Sequence, residues 1–442
     1  MKTLALKGGS KAVKSDVGDM FTWPIINQAM ESSVLDVLHN RNMSGLDITK
    51  QFERKFADWH NMEFGLGYNS GTSAIHGALY ALGVRKGDEI IAPSMTYWAS
   101  CIQAFSLGAT VRFVDIDKES FCIDPEHIEN NINERTKAIV VVHFAGRVAN
   151  MDRIMDVARK YDIKVLEDFS HAQGALYKGK MVGTIGDVGA CSLMTGKSFA
   201  IGEAGMLITG NRDIYEHALA FGHHARHNDL TDAELRKAAG LPLGGYKHRM
   251  HQMSAAVGLE QLKKFPAEMA EIDKAMNYFC DAIDQMPGLK ANRSDKKSNS
   301  TNGGWYVSRC HYNPDELGGL SITRFCEAVK AEGVNISNGV YGGLHLHPIF
   351  NSVDIYDDGK PTIISNLPEG IEIRCQRGDL PVTESIKELS FALPWFKHFR
   401  KNIIDEYIAA FAKVTSDYQQ LLDSDTSNTN TEIQWGLSPL KK

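Results

Sequence analysis

Short apolar runs alternate with helical patterns between residues 50 and 260. Apolar runs, several of them rich in β-branched residues, predict strands over 64–68, 88–93, 110–114, 138–143 and 163–168. Apolar residues at helical spacing predict helices over 51–60, 72–82 and 150–161. Because strands separated by helices need crossover connections, this pattern predicts an α/β fold with a mainly parallel central sheet flanked by helices.

The pattern changes near residue 253 to one long helix over 253–286, which Pro266 should kink or restart. Beyond it, a strand over 305–312 and a helix over 322–332 indicate an α+β region, with polar loops over 292–304 and 357–379. The predicted parts are an N-terminal arm (1–20), a large α/β domain (21–255), a linking helix with a smaller C-terminal α+β domain (256–420), and a mobile polar tail (421–442).

Composition narrows the class of protein. The formal net charge is −6 over 442 residues, so no global basic field favours nucleic acid. The seven cysteines are scattered and form no CxxC pair, which is typical of a reducing compartment. The first residues do not read as a signal peptide, and no apolar run is long enough for a membrane span. We therefore expect a cytoplasmic protein without membrane insertion.

Two glycine-containing motifs could suggest nucleotide binding. Residues 195–198 (Thr-Gly-Lys-Ser) resemble the end of a Walker A loop, but Cys191 stands where that loop needs glycine. Gly65 and Gly67 resemble part of a dinucleotide fingerprint, but Asp88 precedes its strand, whereas the ribose-binding acid should follow one. Neither motif is complete. The stretch around Gly65 and Gly67 nevertheless places small residues just before the N-terminus of a predicted helix, where a phosphate can bind.

Two histidine clusters could suggest a metal. They lie at residues 223–227 and at His345 and His347, and neither is completed by a cysteine or carboxylate. We therefore predict no metal site and expect hydrogen-bonding loop histidines, with a substrate-facing role left open.

The predicted strand ends bring a coherent set of groups to one edge of the sheet. Ligands of open α/β sheets bind at the carboxyl ends of the strands. Those ends carry residues 71–73 at a helix start, Tyr97, Asp168 and Lys197. Pyridoxal 5′-phosphate needs all of these groups: a helix N-terminus for its phosphate, an aromatic face, a carboxylate for its ring nitrogen, and an amine for its aldehyde.

The same stretches resemble those of the DegT/DnrJ/StrS sugar aminotransferases, which are fold-type I enzymes that depend on pyridoxal phosphate. The resemblance runs from about residue 44 to 261 and more loosely to the C-terminus. The matching stretches are 70–75, 87–97, 142–146, 167–174, 192–197, 202–206 and 245–250. Each is weak alone, but seven in order are specific.

The resemblance implies a role for each matching residue. The catalytic residues are Lys197, which would carry the cofactor as a covalent aldimine, and Asp168, which would face the pyridine nitrogen. The cofactor-binding residues would be Gly71, Thr72, Ser73, Tyr97, Asp168, His171, Ser192, Lys197 and Lys247. Lys247 departs from the asparagine of many members, which reaches the phosphate of the neighbouring subunit. Arg249 stays open between a structural ion pair and a carboxylate clamp.

The resemblance further implies transamination through pyridoxamine 5′-phosphate, in a homodimer with shared active sites. The donor would be glutamate or glutamine, and the acceptor a carbonyl sugar, a sugar acid such as 8-oxo-Kdo of lipopolysaccharide biosynthesis, or a cyclitol. A nucleotide-linked 3- or 4-oxo sugar is the alternative acceptor. A pyridoxamine-dependent dehydratase is disfavoured, because those relatives carry histidine at the position of Lys197. A non-catalytic regulator is disfavoured by the intact pair of Lys197 and Asp168.

Overall fold

The computed structural model describes residues 3–339 and 341–426. The strands are β1 (Phe64–Tyr68), β2 (Glu89–Pro93), β3 (Thr110–Val114), β4 (Thr136–Val142), β5 (Lys164–Asp168), β6 (Leu176–Tyr177), β7 (Lys180–Met181), β8 (Val188–Ser192), β9 (Gly205–Thr209), β10 (Leu289–Ala291), β11 (Arg309–Tyr312) and β12 (Ser390–Ala392). The helices are α1 (Gln28–His39), α2 (Asp47–Trp59), α3 (Gly71–Ala81), α4 (Gln103–Ser106), α5 (Pro125–Asn131), α6 (Met151–Tyr161), α7 (Arg212–Gly222), α8 (Ala233–Arg236), α9 (Gln252–Ile283), α10 (Ile322–Ala331), α11 (Thr362–Ser365), α12 (Pro381–Leu389), α13 (Lys401–Ser416) and α14 (Gln419–Leu422).

A seven-stranded sheet forms the centre of the large α/β unit. Its strand order is β1-β9-β8-β5-β4-β2-β3. The pairs among β3, β2, β4, β5 and β8 are parallel, whereas β9 runs antiparallel to both of its neighbours. The prediction of a mainly parallel sheet flanked by helices is therefore confirmed.

Successive side chains of the central strands enter two different core layers. Ile91 of β2 and Val141 of β4 belong to one buried cluster, and Ile90 and Val140 belong to the other. Because neighbouring residues of a strand point to opposite faces, both faces of the sheet are covered and the strands read as continuous apolar runs.

The position of Gly65 and Gly67 inside a β-strand excludes a dinucleotide-binding loop at these residues. Both glycines lie inside β1 and pair with β9, opposite Ile208 and Met206. A Cβ on Gly65 would lie 2.5 Å from the carbonyl oxygen of Glu53, so this glycine allows α2 to pack closely on the strand. The glycines thus serve helix–strand packing.

A buried ion pair lies at this same contact. Arg226 donates to both carboxylate oxygens of Glu53 at 2.8 and 2.9 Å, and the amide of Gly67 donates to Glu53 at 2.7 Å. Both charged side chains are almost fully buried. The pair therefore ties α2 and β1 to the loop that follows α7.

A second, smaller unit contains the antiparallel sheet β10-β11-β12. A third apolar cluster fills it, with contributions from the second half of α9, from α10 and from α13. Leu4 and Met20 of the predicted N-terminal arm also belong to this cluster. The N-terminal segment therefore packs against the C-terminal unit.

The sequence predicted that Pro266 would kink or restart the long helix. The helix α9 does not restart there but runs through Pro266 from Gln252 to Ile283. Phe265 is fully buried, with its ring 5.4 Å from that of Trp59 and 4.9 Å from that of Phe199. This packing holds the helix together where proline lacks a donor.

Three further stretches differ from the sequence prediction. The strand predicted over 305–312 begins only at Arg309, because the backbone turns just before it. Leu344 and Phe350, predicted in the C-terminal domain, pack into a core layer of the large unit. The first part of the predicted mobile tail is packed on the rest of the chain. Leu421 is buried, and Asp425 accepts hydrogen bonds from the amide and the hydroxyl of Ser321. The rest of the tail, 427–442, lies outside the described residues.

No helix within the described ranges combines the length and apolar character needed to cross a bilayer.

Candidate active site

A cavity of about 320 Å³ opens at the carboxyl ends of β5 and β8. It is lined by seven of the nine predicted site residues, namely Gly71, Thr72, Tyr97, Asp168, His171, Ser192 and Lys197. Ser73 and Lys247 do not line it. The pairing of Val142 with Asp168, and of Asp168 with Ala190, brings the ends of β4, β5 and β8 level at this edge.

Asp168 ends β5 with its carboxylate held in a fixed orientation. The side-chain hydroxyl of Ser100 donates to one carboxylate oxygen at 2.7 Å, and the backbone amide of Ser170 donates to the other at 3.1 Å. The residue is 4% exposed. Both hydrogen bonds come from neutral donors, and the side chain of Asp168 lines the cavity.

Lys197 follows β8 in a tight turn, where its amide donates to the carbonyl of Met194 at 2.8 Å. Its own carbonyl accepts a hydrogen bond of 2.8 Å from the indole of Trp23. The side chain is 8% exposed, and its Nζ lies 4.3 Å from the ring centre of Tyr306. Burial lowers the pKa of Lys197 to about 8, although the Asp168 carboxylate opposes the shift. The amine can therefore be neutral near physiological pH, as a nucleophile or a base must be.

The N-terminus of α3 faces the cavity beside β8. Ser70 caps the helix by accepting from the amide of Ser73 at 3.1 Å, and the two hydroxyls lie 3.0 Å apart. A Cβ on Gly71 would lie 2.6 Å from both Cα and Cβ of Ser192, so only glycine permits this approach. Backbone N–H groups at the start of an eleven-residue helix, beside the hydroxyls of Thr72 and Ser192, suit a phosphate.

Aromatic rings line the cavity that holds the amine of Lys197. The ring of His171 lies 4.8 Å from that of Tyr306, and the ring of Tyr97 lies 6.0 Å from that of Tyr341. Burial, reinforced by the Lys197 charge, holds the pKa of His171 well below its usual range, so this imidazole is neutral. Tyr306 and Tyr341 come from the C-terminal third of the chain, and sequence reasoning missed both.

Gln173 is a further residue that sequence reasoning missed. Its amide nitrogen donates to the carbonyl of Ser192 at 2.6 Å, and its oxygen accepts from the Ser198 hydroxyl and the Phe199 amide at 2.7 and 2.8 Å. The side chain is fully buried. Gln173 therefore fixes both ends of the turn that carries Lys197. The only sequence signal was its place in the stretch 167–174.

Lys247 is exposed in the loop before α9, away from the cavity of its own chain. Its neighbour Arg249 forms an isolated β-bridge with Tyr68, which fixes the backbone there. Lys247 therefore lies outside the cavity that its own chain forms.

These residues fit pyridoxal phosphate on the structure alone. One cavity holds a buried amine of lowered pKa, a buried carboxylate, aromatic faces and a helix N-terminus. A larger cleft of about 670 Å³ lies near Arg147 and Tyr177 but has no buried amine beside a buried carboxylate. We therefore place the site in the smaller cavity. Within the described residues, no group of three or more histidine, cysteine, aspartate or glutamate side chains is arranged to hold a metal ion.

Comparison with known proteins agrees with this assignment. The model of the DegT/DnrJ/EryC1/StrS aminotransferase family matches residues 24–370. A putative L-glutamine:3-amino-2,3-dideoxy-scyllo-inosose aminotransferase of Micromonospora echinospora is 30% identical over 82% of this chain and 85% of its own length. GDP-perosamine synthase of Caulobacter vibrioides is 36% identical over 52% of this chain and 60% of its own length.

Among solved structures, an aminotransferase from Psychrobacter cryohalolentis superposes with a TM-score of 0.77 at 27% identity, covering 91% of this chain and all of that one. The match spans both units, and the fold is that of the fold-type I pyridoxal phosphate enzymes. The chain therefore belongs to the DegT/DnrJ/EryC1/StrS aminotransferase family and is a pyridoxal-phosphate-dependent aminotransferase.

Proposed function

We propose that the chain moves an amino group from glutamine or glutamate to the carbonyl of an uncharged sugar or cyclitol, with Lys197 and Asp168 as its catalytic residues. The observation that carries this proposal is the buried Lys197 amine that shares one cavity with the buried Asp168 carboxylate. An amine and a carboxylate in this arrangement match the two ends of the cofactor's reactive ring.

The assignment of roles follows from the side chains. Lys197 would hold the cofactor through its amine, Asp168 would face the ring nitrogen, and the N-terminus of α3 with Thr72 and Ser192 would hold the phosphate. When bound, pyridoxal phosphate supplies an electron sink for the carbon that loses a proton. With a pKa near 8, the Lys197 amine can take up that proton and release it again at neutral pH.

The lining of the cavity supports an uncharged acceptor. Apart from Lys197, no lysine or arginine among the described residues lines it, so one chain offers no counter-charge for a diphosphate or a sugar-acid carboxylate. Tyr97, Tyr306 and Tyr341 supply aromatic faces, which suit the C–H faces of a ring sugar. The relative that is named as an inosose aminotransferase agrees with a cyclitol and with glutamine as donor.

A nucleotide-linked sugar is the second candidate acceptor. It is favoured by the relative named GDP-perosamine synthase, and it would need cations from elsewhere. Lys247 could supply one if two chains share their sites. Leu241, Leu243 and Tyr246 of the same loop are exposed, which supports burial of this loop in a homodimer. Cytoplasmic location and a role in lipopolysaccharide biosynthesis remain predictions from the sequence.

The first experiment tests the reaction itself. The purified protein loaded with pyridoxal phosphate should absorb visible light, and glutamine should bleach that band as the amino group is transferred. Lys197→Ala should lose the band, and Asp168→Asn should keep it but bleach far more slowly. A colourless wild-type protein, or full activity in Lys197→Ala, would refute the proposal.

The second experiment identifies the acceptor. The pyridoxamine form is offered scyllo-inosose, an 8-oxo sugar acid and a GDP-linked 4-oxo sugar, and recovery of visible absorbance is measured. We expect scyllo-inosose to react fastest. A preference for the nucleotide-linked sugar would overturn our choice of acceptor and leave the aminotransferase assignment intact.

A mixing experiment tests the shared site. Lys197→Ala and Lys247→Ala chains are unfolded together, refolded and assayed. If Lys247 acts across the interface, a mixed dimer regains one site with both lysines. Activity that never exceeds that of the separate variants would contradict the role of Lys247 in the partner's site.

A further inference from the structure

Tyr306 contacts the amine of Lys197 directly, a contact that the sequence did not predict. The Nζ of Lys197 lies over its ring, 4.3 Å from the ring centre. The ring of Tyr306 also packs against His171 and Trp395, with 4.8 Å and 5.7 Å between ring centres. The side chain is 7% exposed. These contacts fix the position of the Tyr306 ring, and one face of that ring lies toward the amine of Lys197.

The backbone that delivers this ring is strained. Gly304, Trp305 and Val307 have φ values of +55°, +56° and +47°. The left-handed region is unfavourable for a bulky residue and more so for a β-branched one. Such outliers persist only where surrounding contacts enforce them, and they concentrate at functional sites.

Two contacts with other parts of the chain and one internal hydrogen bond enforce this turn. The indole of Trp305 donates to Asp273 of α9 at 2.9 Å, and the hydroxyl of Ser308 donates to the Trp305 carbonyl at 2.7 Å. The amide of Gly303 donates to the Gly146 carbonyl at 3.1 Å. The turn is thus anchored to the long helix and to the short turn 144–146 that follows β4, with Tyr306 between the two anchors.

Few charges face the Lys197 amine. The titratable groups around it are Asp168 of β5, Cys191 of β8, and, from the rest of the cavity wall, His171, Tyr97, Tyr306, Tyr341 and Glu203. His171 is held neutral by burial, and Glu203 is largely exposed. Asp168 is the buried carboxylate, and in the proposed function it serves the cofactor ring. An ammonium on Lys197 therefore has the face of Tyr306 as its nearest remaining support.

We propose that Tyr306 is a positioning residue for Lys197: its ring face holds the free amine and stabilises the ammonium between uptake and release of the substrate proton. This inference rests on the proposed function. In that step a C–H bond of the donor breaks and the proton forms an N–H bond at Nζ of Lys197, while the electron pair of the broken bond would pass into the ring of the bound cofactor. The proton would then pass from Nζ to the C4′ carbon of the cofactor, where that electron pair forms the new C–H bond, so the lysine is unchanged after a cycle.

The first test measures the amine in the cofactor-free protein. Lysines are labelled with a trace of acetic anhydride between about pH 6 and 10, and the reactivity of the peptide with Lys197 gives its pKa. Tyr306→Phe keeps the ring, whereas Tyr306→Leu and Tyr306→Met remove it with two different packings. Tyr341→Leu is the matched control, because it removes a neighbouring aromatic ring of the same cavity.

The two ringless variants should lower the pKa of Lys197 by about 0.5, which is about threefold less ammonium at a given alkaline pH. Tyr306→Phe and Tyr341→Leu should leave it within about 0.2 of wild type. An unchanged or raised pKa in both Tyr306→Leu and Tyr306→Met overturns the proposal.

The second test follows the proton in the loaded enzyme. Loss of deuterium from the α-carbon of labelled glutamine is measured in single turnovers. Tyr306→Leu should slow it about threefold or more without a matching rise in the KM for glutamine, and Tyr306→Phe should not. If wild type loses no deuterium, the proposed function itself fails. If wild type and both variants lose it at one rate, only the role of Tyr306 fails.

Discussion

Replacing Lys197 with methionine should make the cofactor-free protein more stable near neutral pH, at the expense of catalysis. The structure buries the amine, and that burial lowers its pKa from an ordinary 10.5 to about 8. The unfolded chain binds the proton more tightly than the folded chain does. Protonation therefore favours unfolding, and a methionine of similar length avoids this penalty.

The magnitude follows from the two pKa values. A difference of about 2.5 in pKa corresponds to about 3 kcal/mol of unfolding free energy at pH 7. Because the pKa of Lys197 is lower in the folded chain than in the unfolded chain, the loss of stability depends on pH. The penalty is fully present below about pH 8 and disappears as the pH rises from about 8 to 10.5, because there the unfolded chain also loses its proton.

Urea unfolding of the cofactor-free protein at about pH 7 and pH 10 measures this difference. Lys55→Met serves as the control, because Lys55 is exposed on α2; it should change stability by less than about 0.5 kcal/mol at either pH. If Lys197→Met is no more stable than wild type at pH 7, or if its advantage does not shrink at high pH, the reasoning from burial is wrong.

Three further substitutions test contacts around the site. Gln173→Leu leaves buried groups unpaired at both ends of the Lys197 turn, so we expect about 3 kcal/mol less stability in urea unfolding; a loss below about 0.5 kcal/mol would contradict its role. Gly71→Ala places a Cβ 2.6 Å from atoms of β8 and should weaken cofactor binding at least about tenfold in equilibrium dialysis. The control Gly210→Ala, with open space around the new Cβ, should bind the cofactor as wild type does. If Gly71→Ala also binds the cofactor as wild type does, the close approach of α3 to β8 is not required. Glu53→Gln removes the charge that balances buried Arg226 and should lower the free energy of unfolding by about 3 kcal/mol, which an unchanged urea midpoint would disprove.

The strands and the core of the site could be predicted because their signals are local. β1 and β3 have the predicted bounds, since each is a short apolar run between polar turns. Asp168 and Lys197 could be grouped from the sequence, because Asp168 ends a predicted strand and Lys197 follows the apolar run 190–194, and the carboxyl ends of such strands meet at one edge of a sheet.

The rest of the site depends on contacts that no local pattern encodes. The sequence around Tyr306 is apolar and β-prone, so it predicts a strand, but anchors at Asp273 and Gly146 force a turn instead. Gln173 resembles any polar residue after a strand until Ser192 and Ser198 are seen to flank it. Long-range hydrogen bonds of this kind override propensity.

The contacts of Trp23 and Tyr306 with Lys197 have a consequence for the biosynthesis of the protein. Residues near the start of the chain, its middle and its last third converge on one lysine. During translation the amine leaves the ribosome more than a hundred residues before the ring that will cover it. The nascent polypeptide therefore cannot complete its cofactor pocket until the segment that carries Tyr306 and Tyr341 has been made and docked.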